Sequence, residues 1–414
     1  MKGILILLDG LGDLPVSQFG DKTPLEVADT PNMDFFAARG ELGFLYPVKP
    51  GYVPESDEAI ISIFGNEPMN STRGQLEARG VDIKLLRGDL AFRTNFASID
   101  SIERGNVLDR RAGRTLTTSE AEVLAKAINK IKMPCEFVFK PTIQHRGVLV
   151  FRGGFSDNLT GNDAAYLGNK LISGKIGHCK PLDELENTQY TVNIVNEFLE
   201  KVYEVLNKHP VNEERKRKGL LSANYLLVRG GGVESPKLKF YKKWLSVSYM
   251  PLEMGFAKVS GMNVVSFSYP KLKELDVYNN LYNGLREACK ISIKALEKNY
   301  NKFDYAYIHI KETDPPGHDN KPIEKKIIIE YIDKTLFSFL RKFAPSRKIK
   351  VVVTGDHSTP CKMKSHSADP VPVLFYPAQE TAPKEVKFCE REARKGTLGR
   401  MVGDELLKKT GFLK

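Results

Sequence analysis

The stretch Ile4-Leu5-Ile6-Leu7-Leu8-Asp9-Gly10 passes directly from five consecutive apolar residues to a carboxylate and a glycine. A short apolar run of this kind is typical of a strand buried on both faces, as in a parallel sheet. The stretch Val351-Val352-Val353-Thr354-Gly355-Asp356-His357 repeats the pattern near the other end of the chain. Ligand sites in open α/β sheets form beyond the carboxyl ends of the strands. The two stretches therefore predict a parallel sheet with ligand-type side chains at one edge.

A third fragment has the same organisation: Asp314-Pro315-Pro316-Gly317-His318 follows the apolar run at residues 305–310, and His366 follows the second stretch in sequence. The chain has seven histidines, and three of them, His318, His357 and His366, accompany carboxylates at these predicted strand ends. Oxygen and imidazole ligands suit Mn²⁺, Mg²⁺ or Zn²⁺ better than a structural thiolate site would. The three fragments together predict a binuclear metal site.

The spacing of these residues predicts how each is used. Asp314 and His318 are four residues apart, so a short rigid loop between them is expected to direct both side chains at one ion. Asp356 and His357 are adjacent, so their side chains are expected to diverge and to serve two ions, or one ion and an outer position. Taken singly, each residue is also consistent with a helix cap, a turn aspartate or an ordinary hydrogen-bonded histidine.

Ser56 is the candidate nucleophile for such a site. It follows a loop rich in proline and glycine, and it precedes Asp57 and Glu58 at the predicted start of a helix, where backbone N–H groups favour a phosphate. A serine hydroxyl is a poor nucleophile until a metal or a base lowers its pKa. The alternative is an ordinary N-cap serine. We predict a metal-dependent phosphoryl-transfer enzyme.

Strands and helices alternate along most of the chain, which predicts a doubly wound, mainly parallel α/β sheet. Residues 90–97 alternate in polarity and predict a half-exposed strand. We expect one domain from residues 1–86 and 219–414, with a smaller α+β substrate-binding domain inserted at residues 87–218 and hinges near its ends. The other predicted strands are residues 3–9, 42–46, 137–139, 147–151, 223–230, 263–268, 305–310 and 349–354, and the predicted helices are residues 32–39, 119–131, 191–208, 280–298, 321–343 and one beginning at 56.

The composition is that of a soluble globular protein, since 41% of the 414 residues are hydrophobic and 27% are charged. No apolar stretch approaches the length that spans a bilayer, and the first apolar run is followed at once by Asp9. The five cysteines include no C-x-x-C pair, and their odd number does not suit a disulfide framework. These features predict a cytoplasmic protein with reduced thiols and no membrane partner.

The net charge is +11. A positive field of this size attracts either nucleic acid or a small anionic substrate. The basic run Glu214-Arg215-Lys216-Arg217-Lys218-Gly219 is short and contains no aromatic residue, so we predict a solvated turn rather than a nucleic-acid-binding patch. A small anion is therefore the predicted partner, and nucleic acid is not.

Eight short stretches spread over nearly the whole chain form a distinctive set. The stretches at residues 109–114, 355–360 and 366–372 are the specific ones, whereas a first strand followed by Asp-Gly is weak by itself. The stretches are Asp9-Gly10-Leu11-Gly12-Asp13, Thr23-Pro24-Leu25-Glu26-Val27-Ala28, Thr30-Pro31-Asn32-Met33-Asp34, Ser56-Asp57-Glu58-Ala59, Asp109-Arg110-Arg111-Ala112-Gly113-Arg114, Asp314-Pro315-Pro316-Gly317-His318, Gly355-Asp356-His357-Ser358-Thr359-Pro360 and His366-Ser367-Ala368-Asp369-Pro370-Val371-Pro372.

This set resembles the archaeal type of cofactor-independent phosphoglycerate mutase, in the alkaline phosphatase superfamily. The resemblance implies an alkaline-phosphatase-like fold and interconversion of 3-phosphoglycerate and 2-phosphoglycerate in glycolysis and gluconeogenesis, through a phosphoserine at Ser56. It also implies two divalent ions, drawn from Mn²⁺, Mg²⁺, Co²⁺ and Zn²⁺. One ion would be held by what we name the first ligand group, Asp9, Ser56, Asp356 and His357. The other would be held by the second ligand group, Asp314, His318 and His366.

A phosphoglycerate carries a phosphate and a carboxylate, and the planar guanidinium of arginine binds either group with paired hydrogen bonds. By resemblance, Arg110, Arg111 and Arg114 contact the substrate, and Arg111 also takes part in catalysis. A solvated basic turn is the alternative for this cluster. Arg93 is a further candidate for substrate binding.

Three other assignments concern the same predicted domain. His145 and Arg146 are candidates for substrate binding, and an exposed strand end is the alternative for this pair. Asp109 is predicted to carry the proton between the two substrate hydroxyls, because a carboxylate beside three arginines stays ionised and can accept a proton.

Other functions are also consistent with these residues. A phosphatase or a phosphopentomutase would use the same two-ion core, because a fold does not decide a reaction. A sulfatase is disfavoured, since the nucleophile position holds Ser56 and no cysteine. A non-catalytic protein that binds nucleic acid has only the positive charge in its favour.

Overall fold

The computed structural model describes residues 1–68, 73–163, 174–272, 275–379 and 382–413. These residues form a large, mainly parallel sheet and a smaller antiparallel sheet. The strands are β1 (Gly3–Leu8), β2 (Glu41–Tyr46), β3 (Leu90–Ile99), β4 (Val107–Asp109), β5 (Phe137–Pro141), β6 (Arg146–Phe151), β7 (Tyr225–Gly232), β8 (Trp244–Val247), β9 (Asn263–Val265), β10 (Tyr305–Ile310), β11 (Lys350–Thr354), β12 (Val371–Tyr376) and β13 (Gly399–Val402).

Helices cover both sheets, and no helix of the described ranges is long and apolar enough to cross a membrane. The α-helices are α1 (Pro24–Val27), α2 (Pro31–Ala38), α3 (Ser56–Ile63), α4 (Arg73–Gly80), α5 (Thr118–Ile128), α6 (Glu186–Asn207), α7 (Pro210–Arg217), α8 (Pro251–Val259), α9 (Val277–Asn299), α10 (Asp314–His318), α11 (Pro322–Ile332), α12 (Ser338–Phe343), α13 (Glu390–Lys395) and α14 (Gly403–Lys409).

The larger sheet, which we name the central sheet, has the strand order β13-β2-β12-β11-β1-β10-β8-β9. Strand β12 runs antiparallel to both of its neighbours, and the other pairings are parallel. Alternate residues of β1 enter two cores on opposite faces: Ile4 and Ile6 pack on one side, and Leu5 and Leu7 on the other. The predicted doubly wound α/β fold is confirmed.

The smaller sheet is antiparallel, and β3 pairs in it with β4, β6 and β7. The prediction that β3 is half-exposed is wrong, because all ten of its residues are buried. Phe92 and Phe96 face one core, and Ala91 packs with Ala78 of α4 on the other side. Helix α4 thus covers the face that the alternating pattern assigned to solvent.

The boundary expected at residue 218 lies too early in the chain. Strand β7 belongs to the smaller sheet, since Thr94 pairs with Val228 and Phe96 with Leu226. The apolar pattern of residues 223–230 predicted the strand correctly, but an apolar run does not reveal which of two sheets it joins. The smaller sheet extends to Gly232.

The basic run at residues 214–219 is not a solvated turn, because α7 continues through Arg217. The side chain of Arg215 is buried, and its Nη1 lies 3.0 Å from Oε2 of Glu120. Its guanidinium also donates to the carbonyl oxygens of Ala112 and Thr115. The charge of Arg215 is therefore structural, whereas Lys216, Arg217 and Lys218 are exposed.

Other differences concern helix ends and short strands. Helix α6 begins at Glu186 and not at the predicted residue 191. The first turn was missed because it is polar and carries no apolar periodicity. The helix predicted at 321–343 is interrupted by a π-helical segment, Asp333–Phe337. Strands β4, β8, β12 and β13 were missed, and each is short or contains proline or glycine.

Candidate active site

Parallel pairing brings the ligand-bearing ends of three strands to one edge of the central sheet. Strand β1 lies between β10 and β11, with Leu8 paired to Ile310 and Leu7 paired to Thr354. The segments that follow these strands therefore leave the sheet side by side. This edge is where the sequence placed the two ligand groups.

The first ligand group converges on the imidazole of His357. Its Nε2 lies 3.1 Å from Oδ1 of Asp9, 3.2 Å from Oγ of Ser56 and 3.6 Å from Oδ2 of Asp356. All four residues are buried. The expectation from spacing that Asp356 and His357 diverge is wrong, because the turn after β11 directs both side chains towards Asp9. The division implied by the resemblance places these two residues on the same ion.

The second ligand group forms around Asp314. Its Oδ2 lies 3.3 Å from Nε2 of His318, and its Oδ1 lies 3.9 Å from Nε2 of His366. The segment between Asp314 and His318 is not the loop that was predicted but the single helical turn α10, which places residues four apart on one face. The Nδ1 atoms of His318 and His366 lie 3.0 and 2.9 Å from the carbonyl oxygens of Lys364 and Pro54, which orients both rings.

The two ligand groups are contiguous. The rings of His357 and His366 stack with centroids 3.7 Å apart. Asp9, Asp314 and His357 each offer a ligand atom, and these atoms lie within 4.8 Å of one another. The residues of the two groups therefore form one continuous cluster of ligand atoms.

A hydrogen-bond chain fixes the side of His357 that faces the site. The hydroxyl of Thr359 donates to Oδ1 of Asp314 at 2.7 Å, so it accepts from Nδ1–H of His357, which is 3.0 Å away. When His357 is neutral, its Nε2 lone pair therefore points at Asp9 and Ser56. This is the tautomer that a metal ligand requires.

Gly10 allows these segments to approach closely. Its φ angle is +61°, a left-handed conformation that glycine adopts without strain. A Cβ atom at this position would lie 2.6 Å from Oγ1 of Thr359 and 2.8 Å from Oδ1 of Asp314. A side chain at position 10 would therefore clash with Thr359 and with Asp314 of the second ligand group.

The site concentrates negative charge, and this shifts the pKa values of its histidines. Burial opposes protonation of His357, but Asp356 and Asp9 outweigh it and raise the pKa to about 9. Burial and the charge of His357 lower the pKa of His366 to about 4. Burial also disfavours ionisation of Asp314, yet His318 holds its pKa well below the ordinary value. Without a metal, protonated histidine supplies positive charge here.

The donor set fits divalent cations. Oδ2 of Asp356 is buried and has no hydrogen-bond partner among the described residues. It lies 3.6 Å from Nε2 of His309 and 4.0 Å from Nζ of Lys311. A buried carboxylate oxygen without a donor is costly, and a bound cation would satisfy it. The ligands are oxygen and imidazole only, which suits Mn²⁺, Mg²⁺, Co²⁺ or Zn²⁺.

Sequence reasoning missed three charged or polar residues beside the first ligand group, His309, Lys311 and Glu253. Nζ of Lys311 lies 2.5 Å from Oδ2 of Asp9 and 2.7 Å from Oε1 of Glu253. His309 and Lys311 stand at the carboxyl end of a predicted buried strand, and that position was a usable signal. Glu253 lies on α8, whose sequence gives no such signal.

The site opens into a cavity of about 140 Å³ between the two sheets, which suits a small molecule. The predicted substrate-binding residues come together there, although they are far apart in the chain. Residues of both ligand groups line the same cavity. The predicted residues that line it are Arg93, Arg110, Arg111, Arg114, His145 and Arg146.

The segment Asp109–Arg114, which we name the arginine loop, is held by its own carboxylate and by neighbouring acids. Oδ1 of Asp109 accepts from the backbone N–H groups of Arg111 and Gly113 at 2.6 and 2.9 Å. Arg110 pairs with Asp163, and Arg114 pairs with Asp319 at 2.5 Å. Arg111 forms no ion pair with the described residues.

The proton-carrying role predicted for Asp109 gains no support from this geometry. Asp109 is not among the residues that line the cavity, and Oδ1 is occupied by two backbone donors. Its observed contacts shape the arginine loop.

His145 is buried beside the loop, and burial together with the charge of Arg146 holds its pKa well below the ordinary value, so it is neutral.

Arg73 and Arg229 also line the cavity and were not predicted. Nη1 of Arg73 lies 3.0 Å from Oε2 of Glu55, and Nη1 of Arg229 lies 3.4 Å from the same oxygen. Burial disfavours the charge of Glu55, yet Arg229, His366 and Arg73 lower its pKa to about 2. Glu55 directly precedes Ser56, so a permanent carboxylate and two guanidinium groups adjoin the candidate nucleophile.

Comparison with known proteins identifies the family of this chain. A sequence model of the family described as 2,3-bisphosphoglycerate-independent phosphoglycerate mutase matches residues 37–212. Proteins named 2,3-bisphosphoglycerate-independent phosphoglycerate mutase from Pyrococcus furiosus and Thermococcus kodakarensis are 40% and 39% identical to this chain. Each alignment covers 98% of this chain and 95% of the relative.

Solved structures give the same result. The structure of the PH0037 protein from Pyrococcus horikoshii aligns with a TM-score of 0.73 and 30% identity, over 100% of this chain and 98% of that one. A cofactor-independent phosphoglycerate mutase from Thermoplasma acidophilum aligns with a TM-score of 0.58 and 28% identity over the whole of both chains. This chain belongs to the 2,3-bisphosphoglycerate-independent phosphoglycerate mutase family.

Proposed function

We propose that this enzyme interconverts 3-phosphoglycerate and 2-phosphoglycerate through a phosphoserine at Ser56. The observation that carries the proposal is the position of the Ser56 hydroxyl. Its Oγ lies 3.2 Å from Nε2 of His357 within the first ligand group, and the same residue lines the arginine-rich cavity. The nucleophile, the ligand groups and the anion-binding residues thus meet in one place.

Two divalent ions are proposed as cofactors. The first ligand group would hold one and the second ligand group the other. When bound, they would lower the pKa of the serine hydroxyl and offset the charge of the transferring phosphoryl group. The convergence of the first group on His357, and of the second on Asp314, supports this division.

The chain's own groups provide the remaining steps. The Ser56 hydroxyl loses its proton and its Oγ attacks the phosphorus of 3-phosphoglycerate, the bond from phosphorus to the C3 oxygen breaks, and that oxygen takes up the proton that Ser56 lost. Glycerate then reorients within the cavity. Its C2 hydroxyl loses a proton and attacks the phosphoserine, the bond from phosphorus to Oγ of Ser56 breaks, and Oγ takes up that proton. Atoms and charge balance over the cycle without a second phosphorylated cofactor.

The cavity must hold glycerate for as long as the phosphoserine exists, because water would otherwise enter and hydrolyse the phosphoserine. Arg111 suits this role, since it lines the cavity and forms no ion pair within the described residues. Arg110 and Arg114 are already bound to Asp163 and Asp319, which fixes their positions on either side of it. We propose that Arg111 makes the main paired contact with the glycerate carboxylate.

The Ser56→Ala variant tests the function directly. The metal-loaded wild type should convert 3-phosphoglycerate to 2-phosphoglycerate, and Ser56→Ala should lose at least about 99% of that activity because the attacking oxygen is absent. Ser62→Ala removes the equivalent oxygen from the same helix and is the control, which should retain activity. Product is followed by coupled assay, and circular dichroism monitors the fold.

Two results would contradict the proposal. A wild type that forms no 2-phosphoglycerate with Mn²⁺, Mg²⁺, Co²⁺ or Zn²⁺ is not a mutase. If it instead releases inorganic phosphate faster than it isomerises phosphoglycerate, it is a phosphatase.

Replacing Arg111 by lysine tests how glycerate is retained. Lysine keeps the charge but loses the planar fork, so glycerate should escape more often and water should react with the phosphoserine. We expect the ratio of phosphate released to 2-phosphoglycerate formed to rise by about tenfold, as for the loss of one strong charged contact. Arg104→Lys, at an exposed arginine of the same domain, is the control. An unchanged ratio in Arg111→Lys would remove Arg111 from this role.

Metal binding should release protons from the ligand groups. In the metal-free protein the pKa of His357 is raised to about 9, so this residue is protonated at pH 7 and must lose its proton to bind an ion. Affinity for Mn²⁺ should therefore rise between pH 7 and pH 9 and level off above. Calorimetric titration in buffers of different ionisation enthalpy should show release of at least one proton at pH 7, because the pKa of His318 is raised as well. Proton-independent binding at pH 7 would contradict a role for His357 as a ligand.

A further inference from the structure

Lys325 of α11 is a completely buried lysine, with 0% of its side chain exposed. Its Nζ lies 2.8 Å from Oδ2 of Asp13, whose side chain is also 0% exposed. The same ammonium group donates to the carbonyl oxygens of Gly12 and Thr359 at 3.3 and 3.1 Å. A buried ammonium group is costly unless it is paired and fully hydrogen-bonded. Here it has an anion and two carbonyl partners, and it is not among the residues that line the cavity.

The two carbonyl groups belong to the segments that carry the first ligand group. Gly12 lies three residues after Asp9, and Thr359 lies two residues after His357. The segments also contact each other directly, because the N–H of Thr359 donates to the oxygen of Gly12 at 3.0 Å. Asp13 extends the connection, since its Oδ1 accepts from the N–H of Cys361 at 3.1 Å.

Thr359 also connects these segments to the second ligand group. Its hydroxyl bridges Nδ1 of His357 and Oδ1 of Asp314. Displacement of the Thr359 backbone would therefore disturb one ligand from each group. Lys325 itself lies seven residues after His318 and is joined to it by the short connection between α10 and α11.

We propose that Lys325 and Asp13 form a buried clamp that positions the two ligand groups for metal binding. The ammonium group fixes the positions of the segments after β1 and β11 relative to each other. The hydrogen bond from the Thr359 hydroxyl then fixes the position of Asp314 relative to these segments. Lys325 is thus a positioning residue and touches neither substrate nor ion. The inference rests on the metal site proposed above. Outer contacts of this kind typically change metal affinity by about 10–100-fold.

A purely structural ion pair would behave differently from a clamp. Lys325→Met leaves Asp13 as an unpaired buried charge, so it lowers stability in either case. The double variant Lys325→Met/Asp13→Asn removes both charges, and the asparagine oxygen can still accept from Cys361. It should recover much of the thermal stability. Only the clamp predicts that metal affinity stays low after stability returns.

The experiment is a calorimetric titration of the metal-free proteins with Mn²⁺, alongside thermal unfolding. We expect Lys325→Met and the double variant to bind Mn²⁺ about 10–100-fold more weakly than the wild type. The control is Lys326→Met, which removes a lysine from the neighbouring position of α11 where Nζ pairs with Glu330 at 2.6 Å near the surface. It should bind Mn²⁺ as the wild type does.

Wild-type affinity in the double variant would overturn the clamp, and so would wild-type affinity in Lys325→Met. If Lys325→Met does not fold, the double variant decides the question, because it contains no unpaired buried charge. Failure of the wild type itself to bind Mn²⁺ would instead refute the proposed metal site, so the two failures are distinguishable.

Discussion

The parallel pairing of β1 with β10 and β11 is the constraint on which the site depends. It requires three strands, far apart in sequence, to end at the same edge of the central sheet. Asp9, Asp314 and Asp356 then meet without any of them being held by a long loop. Three carboxylates this close would repel one another strongly, and raised histidine pKa values together with Lys311 offset that charge in the metal-free protein. The fold thus creates a site that favours cations.

Much of this edge could be predicted from sequence, because an apolar run followed by a ligand residue encodes both the strand and its end. The ligand pairs could not be predicted fully from spacing. Asp356 and His357 were expected to diverge, but the turn after β11 brings them together. Glu253 and Lys325 gave no signal, since each lies on a helix whose pattern does not show that its charge is buried. Long-range packing decides such positions, and local sequence does not.

The smaller sheet shows the same limit. Its strands were predicted apart from β4, but β7 was assigned to the wrong sheet, because strand pairing is not encoded in an apolar run. The arginines of the arginine loop were predicted to bind substrate, but the buried residue that holds the loop in place was not predicted. Arg215, predicted to be solvated, is buried and donates to the carbonyl oxygens of Ala112 and Thr115. Arg215, one of the basic residues that give the chain its positive net charge, therefore stabilises the arginine loop from within the protein.

The two-ion site is the central claim, and anomalous scattering from crystals grown with Mn²⁺ tests it most directly. The geometry predicts two anomalous peaks. One should lie among Asp9, Ser56, Asp356 and His357, and the other among Asp314, His318 and His366. A single peak at full occupancy, or a peak held by His309 in place of His357, would contradict the division of ligands.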